Sequence, residues 1–232
     1  MVRITNIADT HSKHDFITKM NRKTNNAHFP GGDILIHAGD FTMRGYFQEL
    51  EDFCAWFDKQ RHYTHKIFIG GNHDLCLEEG YTEAMEIINQ YENITYLQDN
   101  FVIVEGLKIW GTPWQPRFYD WAFNLDRNGD ELKAKWALIP EDTDILVTHG
   151  PAFGILDGNS RGEHMGCELM TERFETLKPK IHVCGHNHNN YGYKEVNGVM
   201  HINAANLNPQ YIYHNKPITL DYNPENGNII FL

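Results

Sequence analysis

Ile34-Leu35-Ile36-His37-Ala38-Gly39-Asp40 is an apolar run that ends in a glycine and a carboxylate. It reads as a strand that delivers a charged side chain at its carboxyl end. The pattern recurs four times. Ile4 to Ala8 runs into Asp9-Thr10-His11, and Ile67-Phe68-Ile69 runs into Gly71-Asn72-His73-Asp74. Ile145-Leu146-Val147 runs into Thr148-His149-Gly150, and Val183-Cys184 runs into Gly185-His186-Asn187-His188. In an open α/β sheet, ligands bind outside the carboxyl ends of the strands. Five strand ends bearing Asp, His and Asn therefore predict one convergent polar site.

The rest of the chain supplies a frame for these strands. Helical spacing predicts helices over Asp15 to Arg22, Tyr46 to Arg61, Thr82 to Tyr91, Asp130 to Leu138 and Cys167 to Leu177. In the second, Phe47, Leu50, Phe53, Cys54 and Phe57 form one apolar stripe. Thr82 fits the N-cap of the third. Lys23 to Gly32, with Pro30-Gly31-Gly32, reads as a loop. Hairpins are expected for Phe101–Val104 with Leu107–Trp110, for Tyr191–Val196 with Val199–Asn203 around Asn197-Gly198, and for Ile218–Tyr222 with Ile229–Leu232. Strand–helix alternation followed by hairpins suggests two mixed sheets covered by helices. Periodicity alone also admits one large mixed sheet.

With 232 residues, 41% of them hydrophobic and 22% charged, the chain is expected to form a single globular domain over 1–232. Its net charge of −11 disfavours broad binding to nucleic acid or to an anionic membrane. No stable nucleic-acid complex is expected. The four cysteines contain no C-x-x-C pair, which disfavours a zinc ribbon and suits reduced thiols in the cytoplasm. No basic–apolar leader or spanning segment stands out, so no membrane attachment is expected. A homo-oligomer stays open.

Asp9 and His11 lie two apart, and so do His186 and His188. On an extended backbone such pairs leave one face and meet one ion. Gly39 lets the Asp40 carboxylate sit close to backbone. Asn72 adds a carbonyl oxygen. Mixed nitrogen and oxygen donors without thiolate suit Mn²⁺, Fe, Zn²⁺, Ni²⁺ or Mg²⁺. Asp9, His11, Asp40, Asn72, His149, His186 and His188 are too many for one ion and match two that share a carboxylate.

In this order and spacing, Asp9-x-His11, Gly39-Asp40, Gly71-Asn72-His73-Asp74, His149 and Gly185-His186-x-His188 resemble the five motif blocks of the calcineurin-like metallophosphoesterase superfamily. The resemblance spans residues 9 to 188 and implies an α/β four-layer sandwich of two mixed β-sheets flanked by helices. It implies one metal on Asp9, His11, Asp40 and His188, a second on Asp40, Asn72, His149 and His186, and Asp40 as the bridge. Two divalent ions are expected as cofactors, with Mn²⁺ placed first. Protein Ser/Thr phosphatases of this superfamily carry Gly-Asp-x-Val-Asp-Arg-Gly, whereas residues 39–45 read Gly-Asp-Phe-Thr-Met-Arg-Gly and lack the second Asp. The text around Gly111-Thr112-Pro113-Trp114 and Phe123-Asn124-Leu125 is more similar to metallophosphoesterase-domain proteins with phosphodiesterase activity. Some of those have Gly at the position of His186, so this chain is expected to be fully equipped.

Two ions about 3.5–4 Å apart lower the pKa of a shared water, whose hydroxide would attack, and they polarise and orient a phosphate ester. The expected reaction is hydrolysis of a small diester, a nucleotide (cyclic ones included) foremost. A phosphomonoesterase and a metal-bound scaffold without turnover are the alternatives. His73 is the expected general acid or phosphate clamp, as in similar enzymes, and Asp74 holds nearby groups. Trp114, Phe118, Tyr119 and Trp121 form an aromatic loop that is either a stacking wall for the leaving group or a self-pinned loop. Arg44 and Arg161 are candidate phosphate contacts. His37 and His182 read as core histidines, and His201 is a candidate for the site rim. Gly154 to Gly166 is a candidate mobile loop.

Overall fold

The computed structural model describes residues 1–15, 17–18 and 29–232. Most of the expected helix from Asp15 to Arg22, His28 and most of the expected loop from Lys23 lie outside the described residues. Strands β1 (Val2–Ile7), β2 (Gly32–Ala38), β3 (Tyr63–Ile69) and β4 (Ile94–Tyr96) run parallel. Two antiparallel strands extend that sheet, β13 (Ile218–Tyr222) beside β1 and β14 (Ile229–Phe231) at the edge. The second sheet is built around β6 (Leu107–Thr112), β9 (Ile145–Thr148), β10 (Ile181–Cys184) and β12 (Val199–Asn203), again parallel. Its edges are β5 (Asn100–Val104) and β11 (Gly192–Val196), each an arm of an expected hairpin. The chain therefore makes two six-stranded mixed sheets rather than one large sheet. A two-stranded ribbon, β7 (Gln115–Pro116) with β8 (Asn124–Leu125), completes the strands.

Strand alternation splits the apolar residues between three cores. In β2, Ile34 and Ile36 point between the sheets, where they join Ile4, Ile69, Ile109, Val147, Val183 and Ile202. Leu35, one residue away, faces the other way into a layer formed by helices α1 (Phe47–Asp58), α2 (Leu75–Glu79) and α3 (Tyr81–Ile88). The outer face of the second sheet is covered by α4 (Asp130–Ala137) and α5 (Glu168–Arg173), through Leu132, Trp136, Met170 and Phe174. The order is helix, sheet, sheet, helix. The helix between Thr82 and Tyr91 begins a residue earlier than expected, with Gly80 and not Thr82 at its N-cap. Among the described residues no helix is long and apolar enough to cross a membrane.

Candidate metal centre

The five ligand-bearing strands are β1, β2 and β3 of one sheet and β9 and β10 of the other. Their carboxyl ends meet at one edge of the sandwich. Three sets of donor atoms lie there, each within 4.8 Å: Asp9–His11–His188, His11–Asp40–His73 and Asp40–His149–His186. Asn72 joins the last set, its Oδ1 at 3.0 Å from His149 Nε2 and 2.8 Å from His186 Nδ1. Asp40 is central. Its Oδ1 accepts from the His73 amide, while its Oδ2 stands 3.7 Å from His11 Nε2 and 3.3 Å from His149 Nε2. One carboxylate oxygen thus faces both halves of the cluster.

Asp9 and His11 do come together, but not by strand alternation. Asp9 has φ 54° and His11 φ 41°, and Asp40 and His186 have φ 58° and 63°. Left-handed backbone at four such residues replaces the extended geometry expected from the two-apart spacing, and it is sparsely populated for side chains with a Cβ. The turns persist because neighbouring segments hold them. The Asp9, His11 and Ser12 amides donate to the carbonyls of Gly39, Asp40 and Phe41. The His186 amide donates to the Asp9 carboxylate. A Cβ at Gly185 would run into that same carboxylate, so only glycine admits it.

The imidazoles are aimed from behind. His11, His149 and His188 hold Nδ1 against the carbonyls of Thr42, Ala38 and Asn208, at 3.1, 2.9 and 3.0 Å. A carbonyl only accepts, so each Nδ1 donates, and each ring, when neutral, presents an Nε2 lone pair to the centre. The result is a surplus of acceptors. His11 Nε2 and His188 Nε2 face each other at 3.4 Å, and His149 Nε2 faces two oxygens. Cations resolve that surplus, and the donor chemistry fits divalent metals. A proton can do part of the same work. Burial opposes charge on His149, yet Asp40 and Asp9 outweigh it and raise its pKa to about 9. Burial lowers His11 and His186 to about 4. Asp40 stays well below the usual carboxylate range against its own burial, because His149 lies beside it.

Asp74 points away from the centre. It is buried, and its carboxylate accepts from the amides of Asp40, Gly71 and Thr42 and from the Thr42 hydroxyl, at 2.7–2.9 Å. Burial and the nearby Asp40 charge raise it to about 7. It ties the turn after β2 to the turn after β3. His73 lies nearer the centre. Its Nδ1 donates to the Met43 carbonyl at 2.8 Å, which leaves Nε2 for the cavity.

That cavity measures about 300 Å³ and is lined by Asp40, Asn72, His73, His186 and His188 on one side. Phe118, Met165, Pro209 and Tyr211 form apolar walls, and Asn159, Asn187 and Asn189 supply carboxamides. Of the aromatic loop, only Phe118 lines it. Trp114 turns inward, donating to Asp99 at 2.8 Å and meeting the Lys135 ammonium over its ring. Of the two readings of this loop, Trp114 follows the self-pinned one, since its indole is engaged in packing. Arg44 and Arg161 do not line the cavity, and Arg161 pairs with Glu163 at 3.1 Å. His37 is buried against Thr10. His182 is buried between Thr148 and His201, which removes His201 from the rim and puts it in the core. Asn159 and Met165 belong to the segment from Gly154 to Gly166. Asp157 ties that segment together by accepting from Gly154, Gly166 and His164.

Tyr211 is a lining residue that no sequence signal announces. Its ring lies 4.8 Å from that of His11 and 5.2 Å from that of His188. It follows β12, another strand that runs parallel to β10. The carboxyl end of β12 reads Asn203-Ala204-Ala205 and carries no donor pattern to draw attention to it.

Comparison with known proteins places this geometry in context. The sequence model described as calcineurin-like phosphoesterase matches residues 2–190. Metallophosphoesterase domain-containing protein 1 of Homo sapiens is 38% identical over 94% of this chain and 70% of its own length. The protein of that name in Mus musculus matches equally well. Among solved structures, TT1561 of Thermus thermophilus superposes with a TM-score of 0.64 at 14% identity, covering 99% of this chain and 97% of its own. Another reaches 0.71, also at 14% identity.

Proposed function

Because the chain belongs to the calcineurin-like phosphoesterase family, a family of metal-dependent phosphoric ester hydrolases, we propose that it hydrolyses small phosphodiesters, nucleotide diesters foremost, with two divalent ions. The observation that carries this reading is Asp40 Oδ2, which faces His11 on one side and His149 on the other. Asp9, His11, Asp40 and His188 would hold one ion, and Asp40, Asn72, His149 and His186 the other. When bound, the ions supply a water acidic enough to attack at neutral pH and positive charge for the phosphoryl oxygens. Mn²⁺ is the first choice, with Fe, Zn²⁺, Ni²⁺ and Mg²⁺ as competitors.

The chain's own side chains do the rest. His73 Nε2 faces the cavity from beside Asn72 and gives the leaving oxygen its proton. Asp74 is a positioning residue that keeps the Asp40 and Asn72 turns together. Two features favour a diester over a monoester. No Lys or Arg lines the cavity among the described residues, which suits the single charge of a diester better than a dianion. Apolar walls at Phe118, Met165 and Tyr211 suit a second ester group. Residues 1–232 act as one catalytic domain in this reading.

The test compares bis-p-nitrophenyl phosphate with p-nitrophenyl phosphate, with Mn²⁺ and after chelation. A metal-dependent preference for the diester supports the proposal. A preference for the monoester sinks the diester reading, and no turnover with any metal sinks the enzymatic one.

A further inference from the structure

The aromatic loop carries one contact that the proposed chemistry does not yet use. Trp121 lies flat on His73, with ring centroids 4.2 Å apart and planes 24° from parallel. The His11 ring also meets it, edge-on at 4.6 Å and 80°. With Nδ1 committed to the Met43 carbonyl, the His73 ring is fixed in plane, in tilt and in direction. Without Trp121 it would keep one hydrogen bond, the edge contact with His11 and a more distant tilted contact with Tyr211 at 6.3 Å.

Trp121 is itself placed by the peptide it serves. The Ala122 amide donates to the Asn72 carbonyl at 2.9 Å, which clips the loop directly beside His73. The Phe123 amide donates to Glu78, and the Gln115 and Arg117 amides donate to the carbonyls of Phe123 and Leu125 across the β7–β8 ribbon. Asn124 closes the tip by accepting from Phe118 and donating to Tyr119. The loop is therefore a braced arm with one indole on the candidate acid. Trp121 has no metal-type donor and does not line the cavity, so neither ligation nor substrate stacking accounts for its place.

We propose that Trp121 is a positioning residue that holds His73 in the geometry for proton donation to the leaving group; this rests on the general-acid reading of His73. In that step the bond between phosphorus and the leaving oxygen breaks, and its electron pair stays on that oxygen. The doubly protonated His73 ring, whose Nδ1–H stays on the Met43 carbonyl, gives that oxygen its Nε2 proton. Water supplies the new phosphorus–oxygen bond, and its released proton returns the ring to its imidazolium form through solvent. Diester and water thereby become alcohol and monoester. A ring misplaced by about 1 Å loses much of a general acid's contribution.

The experiment uses two diesters that differ only in the leaving group, thymidine 5′-(p-nitrophenyl phosphate) and thymidine 5′-(phenyl phosphate). Nitrophenolate departs without a proton, whereas phenolate needs one. Wild type, Trp121→Ala, Trp121→Phe and His73→Ala are compared with Mn²⁺ present, and metal content is measured for each. For Trp121→Ala, kcat on the phenyl ester is expected to fall about tenfold or more beyond any fall on the nitrophenyl ester, with KM little changed. Trp121→Phe, which retains a flat ring, is expected to recover most of that loss. Equal losses on the two esters, or a rise in KM alone, would overturn the proposal while a selective loss in His73→Ala left the general-acid reading standing. If His73→Ala shows no leaving-group selectivity either, that reading fails and takes the proposal with it.

Discussion

His149 states the logic of the centre at the scale of one side chain. It is buried, its Nδ1 is committed to the Ala38 carbonyl, and its Nε2 faces the Asp40 and Asn72 oxygens. Burial alone would discharge it, as burial does to His11 and His186 near 4. The neighbouring carboxylates win instead and hold a proton there up to about pH 9. That proton occupies the position a cation would take, so an ion must displace it. The sign follows: below about pH 9 each rise in pH makes the proton easier to lose, and metal affinity increases, levelling off above that value. His11 and His186 already lack a proton above about pH 4 and add nothing to this slope, whereas His188, raised against its own burial by Asp9, adds to it in the same direction. Calorimetric Mn²⁺ titrations between about pH 6 and 9, in buffers of different ionisation enthalpy, should show tighter binding with rising pH and proton release. Affinity independent of pH would refute the assignment of His149 as a ligand that must first lose its proton.

At the scale of elements, the turns matter more than the strands. Each strand end was legible from its apolar run, but the left-handed backbone that turns Asp9, His11, Asp40 and His186 into the cluster was not. Those conformations are unfavourable locally and are held by hydrogen bonds between segments distant in sequence. Asp74 is the clearest case. Its two oxygens gather three amides and one hydroxyl from the β2 and β3 turns. Asp74→Asn keeps the volume but points a donor at one group of donors. The expected cost is about 1–3 kcal/mol of stability for the unmatched buried polar groups. Metal affinity is expected to fall about 10–100-fold, because the turns bearing Asp40 and Asn72 lose their tie. Denaturant melts and Mn²⁺ titration measure both effects. Wild-type affinity in a destabilised variant would show that Asp74 supports the fold and not the centre.

At the scale of the molecule, the centre joins the two sheets. Asp9, His11, Asp40 and Asn72 come from the first, and His149, His186 and His188 from the second. An ion held by both therefore stabilises their packing as well as the chemistry. Mn²⁺ at about a hundred times its Kd should add about 2.7 kcal/mol. For a chain of this size that is about 5–10 °C in Tm. A thermal melt that ignored Mn²⁺ would argue against a site shared by the sheets. Much of the architecture could be read beforehand. The five ligand-bearing strands, the three hairpins and four of the helices follow from apolar period and turn residues, and the donors follow from residue type at each strand end. Three things could not be read. Trp114 and Trp121 stand in one aromatic loop, yet one is half-buried and bonded to Asp99 and the other lies on His73. His201 stands mid-strand in β12, two residues before the strand end, and it faces the core. Tyr211 has no local signature at all. Periodicity and residue chemistry are local properties, so the order of residues was enough to say which chemical groups arrive at the strand ends. Which of those groups face one another was settled by the folded chain alone, because that depends on turns held by partners far away in sequence, as Asp9 is held by His186.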